Sequence, residues 1–515
     1  MKYRITVIVA LVVSISASAQ YDILKYGAIG DGKTINTKSV QAAIDACTAA
    51  NGGTVIVPTG VFIIGTIHLK NNVHLFLEKG GVLRGSTNLD DYEIHIPDKQ
   101  YSPVHKGMLF TEDAENVTIS GEGQIDGNGD HFFKLDSAKK IDSKTSRFTR
   151  QKDNYRKVSS GIGDGPVVPL DRPYQMFVFS NCKRVTVRDI FITKSPFWCM
   201  HFADCDAVNV SGIRLWNNLL APNADGIDIT SCTNVTLNNC DIRAGDDAIV
   251  VTGYDHHFEI PGYKRLRHPS GNIVVTNCNL QSYSSGIRIG FLDQNSVSNI
   301  HVSNCNITNS TRGIGIFLRD EGSLDNMTFD NISIETVLHT GDWWGNGEPI
   351  HISAIRGNEK VKLGKISHVQ FSNIIAKGEN GILVYGTPES VIENLSFDHV
   401  SVTITDSKLN GVAGGNVDLR GGMGDSAVLF ARDLPGILIQ YAKGVTITNV
   451  SLDWSNTKAP FFTHGLETDH VDGLYIRNFT GAPSPANRIA YKIYLANTTG
   501  LITDDTKGLM QKKTK

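Results

Sequence analysis

The size, composition and charge of the chain exclude two classes of partner before any motif is considered. Its 515 residues carry a formal net charge of −3, which disfavours nucleic acid and anionic membrane surfaces. Fifty glycines with only 8% aromatic residues indicate many turns and few helices, and 40% hydrophobic residues suffice for a large core.

Residues 1–19 have the pattern of a secretory signal peptide. Lys2 and Arg4 precede a short apolar run, and Ala17-Ser18-Ala19 is a small-residue cleavage site. The run is too short for an ordinary membrane span. We therefore predict that the protein is exported, either to the periplasm or out of the cell. We also predict that it is a monomer and that residues 20–515 form one domain.

The next segment predicts a helix followed by a strand. Val40, Ile44 and Cys47 have the spacing of one helix face. The Asn-Gly-Gly sequence at 51–53 ends this helix, and an apolar run at 55–57 begins the strand. A solenoid needs its open end covered, so we interpret this helix as an N-terminal cap.

From Val73 onward a short phrase of alternating apolar residues recurs, most often at intervals of 23 to 27 residues. A period of two within each phrase predicts strands, and a longer period in the twenties predicts stacked coils with insertions as loops. We predict an all-β parallel β-helix of roughly ten coils. The second residues of these phrases are Val117, Val185, Val208, Val235, Ile273, Ile300, Met327, Val369, Leu395, Val445 and Leu474.

The cysteines follow the same repeat, which predicts columns of buried thiols. An exported protein with eight cysteines could instead contain disulfides. Cys199 with Cys205 is the first pair to check for such a bond, because Cys199 lies outside the columns.

Three aspartates are expected to meet on one surface of the solenoid. Asp225 precedes Asp247 by 22 residues, about one coil, and Asp246 is adjacent to Asp247. Strands on adjacent coils lie about 4.8 Å apart, so Asp225 should stand beside Asp247. Crowded carboxylates tend to retain a proton, which suits acid–base chemistry on a glycosidic bond. A turn explains an isolated Asp-Gly pair, and calcium binding is another use of such a cluster.

The sequences Asn223-Ala-Asp225 and Gly245-Asp246-Asp247 resemble the first two signatures of the polygalacturonase family, glycoside hydrolase family 28. The resemblance implies a right-handed parallel β-helix that hydrolyses pectic polysaccharide with inversion, without a metal or other cofactor. It implies that Asp246 is the general acid and that Asp225 and Asp247 hold the attacking water as base. It also implies that Asn223 orients the substrate or the neighbouring carboxylate.

Two further family signatures are missing. The expected Gly-His-Gly falls at residues 284–286, where Ser285 replaces histidine. The expected Arg-Ile-Lys falls at residues 315–317, where Gly315 and Phe317 replace both basic residues. These departures affect the expected specificity more than the expected chemistry.

Arginines on neighbouring strands could replace the missing basic residues. When the strand sequences of successive coils are aligned, Arg288 falls in the same column as Asp228, and Arg312 falls in the same column as Asp225 and Asp247. A guanidinium fork suits a sugar carboxylate, so we predict that Arg288, Arg312 and Arg319 bind substrate together with Asp228. Each arginine could instead form an ion pair with nearby acids, and for Arg288 that acid would be Asp228.

Two loops are expected to overhang the site. Tyr254, His256 and His257 follow the Asp pair and could contact sugar. A metal site formed by the two adjacent histidines is disfavoured, because the side chains of adjacent strand residues point apart. Trp343 and Trp344 lie in a glycine-rich loop, where a tryptophan could stack on a sugar ring or simply cover the solenoid edge.

The sequence therefore favours an exported glycoside hydrolase whose substrate is an acidic plant polysaccharide or oligosaccharide containing galacturonic acid. A polysaccharide lyase of the same fold is the alternative enzyme, with calcium at the Asp cluster and an arginine such as Arg288 as base. A non-catalytic carbohydrate-binding β-helix is the third possibility.

Overall fold

The computed structural model describes residues 19–96, 104–158, 161–254, 268–291, 293–455 and 457–512. His256, His257 and most of the predicted signal peptide lie outside these ranges. Among the described residues, no helix has the length and apolarity needed to cross a membrane.

The described chain winds into a parallel β-helix. Thirty-four of its strands belong to one hydrogen-bonded system, in which each strand pairs with strands one coil before and after it. The pairings are parallel and form three stacks of strands along the solenoid. The long strands late in the chain run continuously from one stack into the next.

The first stack contains the repeated phrases. Their second residues pair with one another in the predicted register, for example Val208 with Val235 and Val235 with Ile273. Its strands are Gln20–Asp22, Gly53–Val57, Val73–Leu77, Glu115–Gly121, Lys183–Arg188, Asp206–Ser211, Thr233–Asn238, Ser270–Thr276, Val297–Ser310, Leu324–Thr336, Ile366–Gly378, Ile392–Ile404, Ile437–Asp453, Leu466–Thr480 and Thr499–Thr503.

The second and third stacks complete each coil, and the third carries the acidic residues. The second stack contains Asp31–Ile35, Gly60–Ile64, Gly81–Gly85, Gln124–Asp126, Phe191–Thr193, Arg214–Trp216, Asp241–Ala244 and Asn279–Ser282. The third contains Leu109–Glu112, Phe177–Ser180, Met200–Ala203, Ile227–Thr230, Ile249–Thr252, Ser285–Gly290, Arg312–Leu318, Ile350–Ala354, Ile382–Tyr385, Ile493–Ala496 and Leu509–Lys512. The first parts of Ile437–Asp453 and Leu466–Thr480 complete this stack between Ile382–Tyr385 and Ile493–Ala496.

The elements outside the stacks are short. The one longer helix is α1, Thr37–Ala49, which buries Val40, Ile44 and Cys47 beside the first strands, close to the predicted bounds. The remaining described elements are the helical turns Ile23–Tyr26, Leu89–Asp91, Gly129–Phe132, Ser143–Ser146, Lys152–Asn154 and Asp425–Val428, and the antiparallel pairs Ile94–Ile96 with Val104–His105, Phe133–Ala138 with Val167–Pro169, and Asn416–Asp418 with Leu429–Ala431.

Like side chains stack along the coils, which fixes the register of the strands. Inside, the rings of Phe329, Phe371 and Phe397 stack at 4.9 and 5.2 Å between centroids. All eight cysteines are buried free thiols, including Cys199 and Cys205, so the thiol interpretation holds in this structure.

The long insertions pack against one another on the face of the third stack. The guanidinium of Arg156 is buried and donates to the carbonyl of Trp343 at 2.6 Å, to the carbonyl of Gly345, and to Asn346 Oδ1 at 2.6 Å. Arg420, from a third insertion, donates to the same carbonyl of Trp343. These contacts build a rigid wall beside the acidic residues.

Candidate active site

The strand register brings the three predicted aspartates together. Ile227 pairs with Ile249, so Asp225 stands opposite Asp247, as the 22-residue offset predicts. One carboxylate oxygen from each of Asp225, Asp246 and Asp247 lies within 4.8 Å of the others, and all three residues are buried.

The backbone around Asp246 holds its carboxylate in place. Asn223 has a φ of 58°, a left-handed conformation that asparagine tolerates better than most residues. Its N–H donates to Asp246 Oδ2 at 3.2 Å, and the N–H of Asp247 donates to Asp246 Oδ1 at 3.1 Å. Asn223 thus contacts the neighbouring carboxylate through its backbone N–H, while its side-chain oxygen accepts from Arg172.

Asp247 is held by a different set of donors. Arg288 Nε donates to Asp247 Oδ2 at 2.5 Å, and the N–H of Ser285 donates to Asp247 Oδ1 at 2.8 Å. Arg288 Nη1 donates to the carbonyl of Gly290 at 2.7 Å. The acid that pairs with Arg288 is thus Asp247, whereas the sequence pointed to Asp228 as its alternative partner.

Burial and mutual repulsion change the protonation of the cluster. Burial, followed by the charge of Asp247, raises the pKa of Asp246 to about 6. Burial, followed by the charge of Asp246, raises the pKa of Asp225 well above its usual range. The cluster therefore retains protons near neutral pH, while Asp247 accepts a charge-assisted hydrogen bond from Arg288.

Asp228 lies beneath this cluster and does not line the pocket. It is 1% exposed, and neither carboxylate oxygen has a hydrogen-bond partner among the described residues. Burial raises its pKa well above the usual range, although the charge of Arg288 acts in the opposite direction. The predicted contact of Asp228 with substrate therefore has no open path in this structure.

The aspartates open into a pocket of about 160 Å³ that is partly open to solvent. Cationic and aromatic side chains form its walls around the carboxylates. The lining residues are Trp198, Asn223, Asp225, Asp246, Asp247, Ser284, Ser285, Arg288, Phe291, Arg312, Phe317, Arg319, Trp344, Asp418 and Arg420.

The predicted arginines all reach this pocket. Ser285 pairs with Arg312 in the register, which places Arg312 in the column of Asp225 and Asp247 as expected. Arg312 and Arg319 flank the ring of Phe317, with guanidinium carbons 4.8 and 5.4 Å from its centroid. Burial, followed by the charge of Arg312, lowers the pKa of Arg319 to about 9.

The two overhanging loops are only partly as predicted. Trp344 lines the pocket, whereas Trp343 is 1% exposed and donates its indole N–H to the carbonyl of Asp164 at 3.0 Å. Trp343 therefore covers the solenoid edge, the alternative named above. Tyr254 is buried and lines a neighbouring cavity with Phe291 and Arg319.

Several residues in the pocket or in contact with its lining were missed by the sequence interpretation. Trp198 lies one coil before Asp225 in the same column, so the register could have identified it. Arg172 donates to Asn223 Oδ1 at 3.1 Å, and Arg420 is bound by Asp418 and Asp342. These two arginines lie in insertions, where no periodic signal places them.

Fold and site define the chain as a parallel β-helix protein with a buried carboxylate cluster at the base of a cationic pocket. Residues 170–408 match the family model described as "Glycosyl hydrolases family 28", in agreement with the resemblance seen in the sequence.

Relatives of the chain carry related descriptions. It is 25% identical over 281 residues to a probable polygalacturonase of Vitis vinifera, and this alignment covers 52% of this chain and 50% of that protein. It is 28% identical over 251 residues to an exo-poly-alpha-D-galacturonosidase of Dickeya chrysanthemi, and this alignment covers 44% of this chain and 41% of that protein. The chain thus spans about half the length of these curated relatives.

A solved structure, the family 28 exopolygalacturonase of Yersinia enterocolitica, aligns with a TM-score of 0.55 at 16% identity, covering 94% of this chain and 78% of that one. The predicted right-handed parallel β-helix is confirmed.

Proposed function

We propose that the protein hydrolyses glycosidic bonds of pectic, galacturonic-acid-containing polysaccharide or oligosaccharide. The observation that carries this proposal is the cluster of three buried carboxylates, one with a pKa near 6, beneath a pocket lined by arginines. The match to the family model and the names of the relatives support the same reaction class. We further propose that residues 1–19 direct export and that residues 20–515 act as one catalytic domain.

Asp246 is the general acid in this proposal. Its raised pKa keeps a proton available near pH 6, and hydrogen bonds from two backbone N–H groups fix the direction of its carboxyl group. The proton passes from Asp246 to the glycosidic oxygen as the bond to the leaving sugar breaks.

Asp247 is the base that takes a proton from the attacking water. Its contacts with Arg288 and Ser285 are those of an ionised carboxylate, whereas the raised pKa of Asp225 keeps that group protonated. Asp225 therefore helps to hold the water, and Asp247 accepts its proton. Arg288 acts as a positioning residue through Asp247 and could contact substrate through its remaining N–H groups.

The calcium-dependent lyase differs in its chemistry at the same residues. Three carboxylates could hold a cation, but the guanidinium of Arg288 already neutralises Asp247 and places a positive charge beside any ion bound there. This arrangement favours hydrolysis without a metal.

Product analysis separates the two enzyme classes and the binding protein. The purified protein is incubated with de-esterified pectin and with oligogalacturonides, with and without a chelator. We expect new reducing ends, no ultraviolet-absorbing double bond, and equal rates in both conditions. Unsaturated products that require calcium would identify a lyase, and the absence of any product would indicate a binding protein.

Inversion at the anomeric carbon is the finer part of the proposal and follows from the family resemblance. The carboxylate oxygens lie within 4.8 Å, closer than the roughly 6.5–9.5 Å typical of an inverting pair, but three acids share this site. Time-resolved NMR of the first anomer released decides the question. We expect the opposite configuration to that of the bond cleaved; retention would overturn this part of the proposal.

A further inference from the structure

The positions left empty by the missing basic signature are filled by a ring and an arginine from the same strand. A Cβ at Gly315 would lie 2.6 Å from the ring of Phe317 and 3.2 Å from Arg312 Cδ. These contacts are too close for any side chain, so glycine at 315 gives Phe317 and Arg312 their places in the pocket. The strand thus presents a guanidinium to the pocket from a position outside the expected motif.

Arg312 has more unused donors than the other arginines of the pocket. A guanidinium carries five N–H groups. Arg312 donates one hydrogen bond within the described chain, from Nη1 to Ser285 Oγ at 3.4 Å, and its Nε donates none. Its nearest carboxylate, that of Glu348, lies 3.9 Å from Nε, beyond hydrogen-bond distance. Its side chain is only 5% exposed.

The other three arginines are committed to partners. Arg288 bonds to Asp247 and to the carbonyl of Gly290. Arg420 is held between Asp418 and Asp342. Arg319 makes hydrogen bonds of 2.9 to 3.0 Å to Ser353 and to the carbonyl of Leu318.

Among the described residues, Arg312 makes no close ion pair with the carboxylates around it. Asp418 binds Arg420, Asp320 lies beside Arg319, and Glu348, which is 1% exposed, approaches Arg312 only to 3.9 Å. The adjacent His351 adds no positive charge, because burial lowers its pKa to about 4. One anion entering the pocket would therefore meet an unsatisfied guanidinium in a nearly dry setting, where a charge-assisted contact is strong.

We propose that Arg312 is the specificity-determining residue that binds the carboxylate of the sugar unit lying against Phe317. The substrate at this position is accordingly a free uronate, not its methyl ester. The main chains of Arg312 and Asp247 are two strand spacings apart, about 10 Å, a gap that one sugar ring and the arginine side chain can bridge. This inference rests on the proposed function, whose bond cleavage occurs at Asp246.

The test compares oligogalacturonides with their methyl esters for the wild type and Arg312→Gln. We expect KM for the free acid to rise about 10- to 100-fold, the range for loss of a charged hydrogen bond. KM for the ester should change less than about threefold, so that the preference for the acid collapses. Equal losses on both substrates would overturn the inference.

Two further variants keep this test interpretable. Arg184→Gln removes an exposed arginine of the first stack that does not line the pocket, and should leave both KM values unchanged. If Arg312→Gln does not fold, Arg312→Lys takes its place, because lysine keeps the charge but lacks the planar fork. A rise of KM for the acid alone supports the inference, and an equal rise for both substrates overturns it.

Failure of the proposed function would look different. If the wild type releases no product from either substrate, calorimetric binding of galacturonate and methyl galacturonate replaces the kinetics. Tighter binding of the acid that Arg312→Gln abolishes supports the inference without catalysis. Equal binding of both sugars by the wild type overturns it.

Discussion

At Asp246, burial and a neighbouring carboxylate act in the same direction, and both favour the protonated acid. A general acid works only while it holds its proton, so activity should fall as pH rises through its pKa of about 6. We expect kcat/KM to have its alkaline limb near pH 6, far above the ordinary range of an exposed aspartate. A rate that stays constant up to pH 8 would contradict the role of Asp246.

Asp228 is predicted to reduce stability at neutral pH. Its pKa is raised in the folded protein, so the folded state retains a proton that the unfolded state releases above about pH 4. The cost is therefore absent below pH 4 and grows as pH rises towards the folded pKa. Asp228→Asn should raise the melting temperature at pH 7 and have little effect at pH 3.5. A lower melting temperature at pH 7 would show that Asp228 has a stabilising partner.

Among the structural elements, the wall made by the insertions carries the aromatic side of the pocket. It depends on Arg156, whose guanidinium bridges the carbonyls of Trp343 and Gly345 while fully enclosed. Removing this buried donor leaves the carbonyl of Gly345 without that partner at a cost of about 1–3 kcal/mol, whereas the carbonyl of Trp343 keeps its bond from Arg420. The loop at 337–349, which presents Trp344, should therefore loosen.

Arg156→Met should increase hydrogen exchange in residues 337–349 and raise KM more than it lowers kcat, because the three aspartates lie outside this loop, in turns that precede strands of the third stack. Arg147→Met is the matched control, since the Arg147 side chain is 59% exposed and contacts Asp425 only at 4.0 Å. Unchanged exchange in the Arg156 variant would show that the wall is held elsewhere.

At the scale of the whole molecule, the repeat explains what the sequence could predict. In a solenoid, an offset of one coil in sequence becomes a separation of one strand in space. The meeting of Asp225 with Asp247, and the column that runs on through Ser285 to Arg312, could therefore be predicted from spacing alone.

The remainder of the site depends on insertions that carry no period. Arg420 meets Asp342, a residue 78 positions earlier, and the choice of Asp247 as the partner of Arg288 depends on side-chain direction. Neither contact has a local signal in the sequence. The same holds for the contrast between Trp344, which is partly exposed and lines the pocket, and its neighbour Trp343, which is buried.

The central claim is that Asp246 donates the proton that releases the leaving sugar, and its most direct test is a comparison of two leaving groups. Turnover of wild type and Asp246→Asn is measured on an oligogalacturonide and on p-nitrophenyl galacturonide, whose leaving group departs without a proton. We expect a loss of about 10²–10⁴ on the oligosaccharide, with binding retained, and a much smaller loss on the aryl glycoside. More than a tenth of the activity retained on the oligosaccharide, or equal losses on both substrates, would contradict the account.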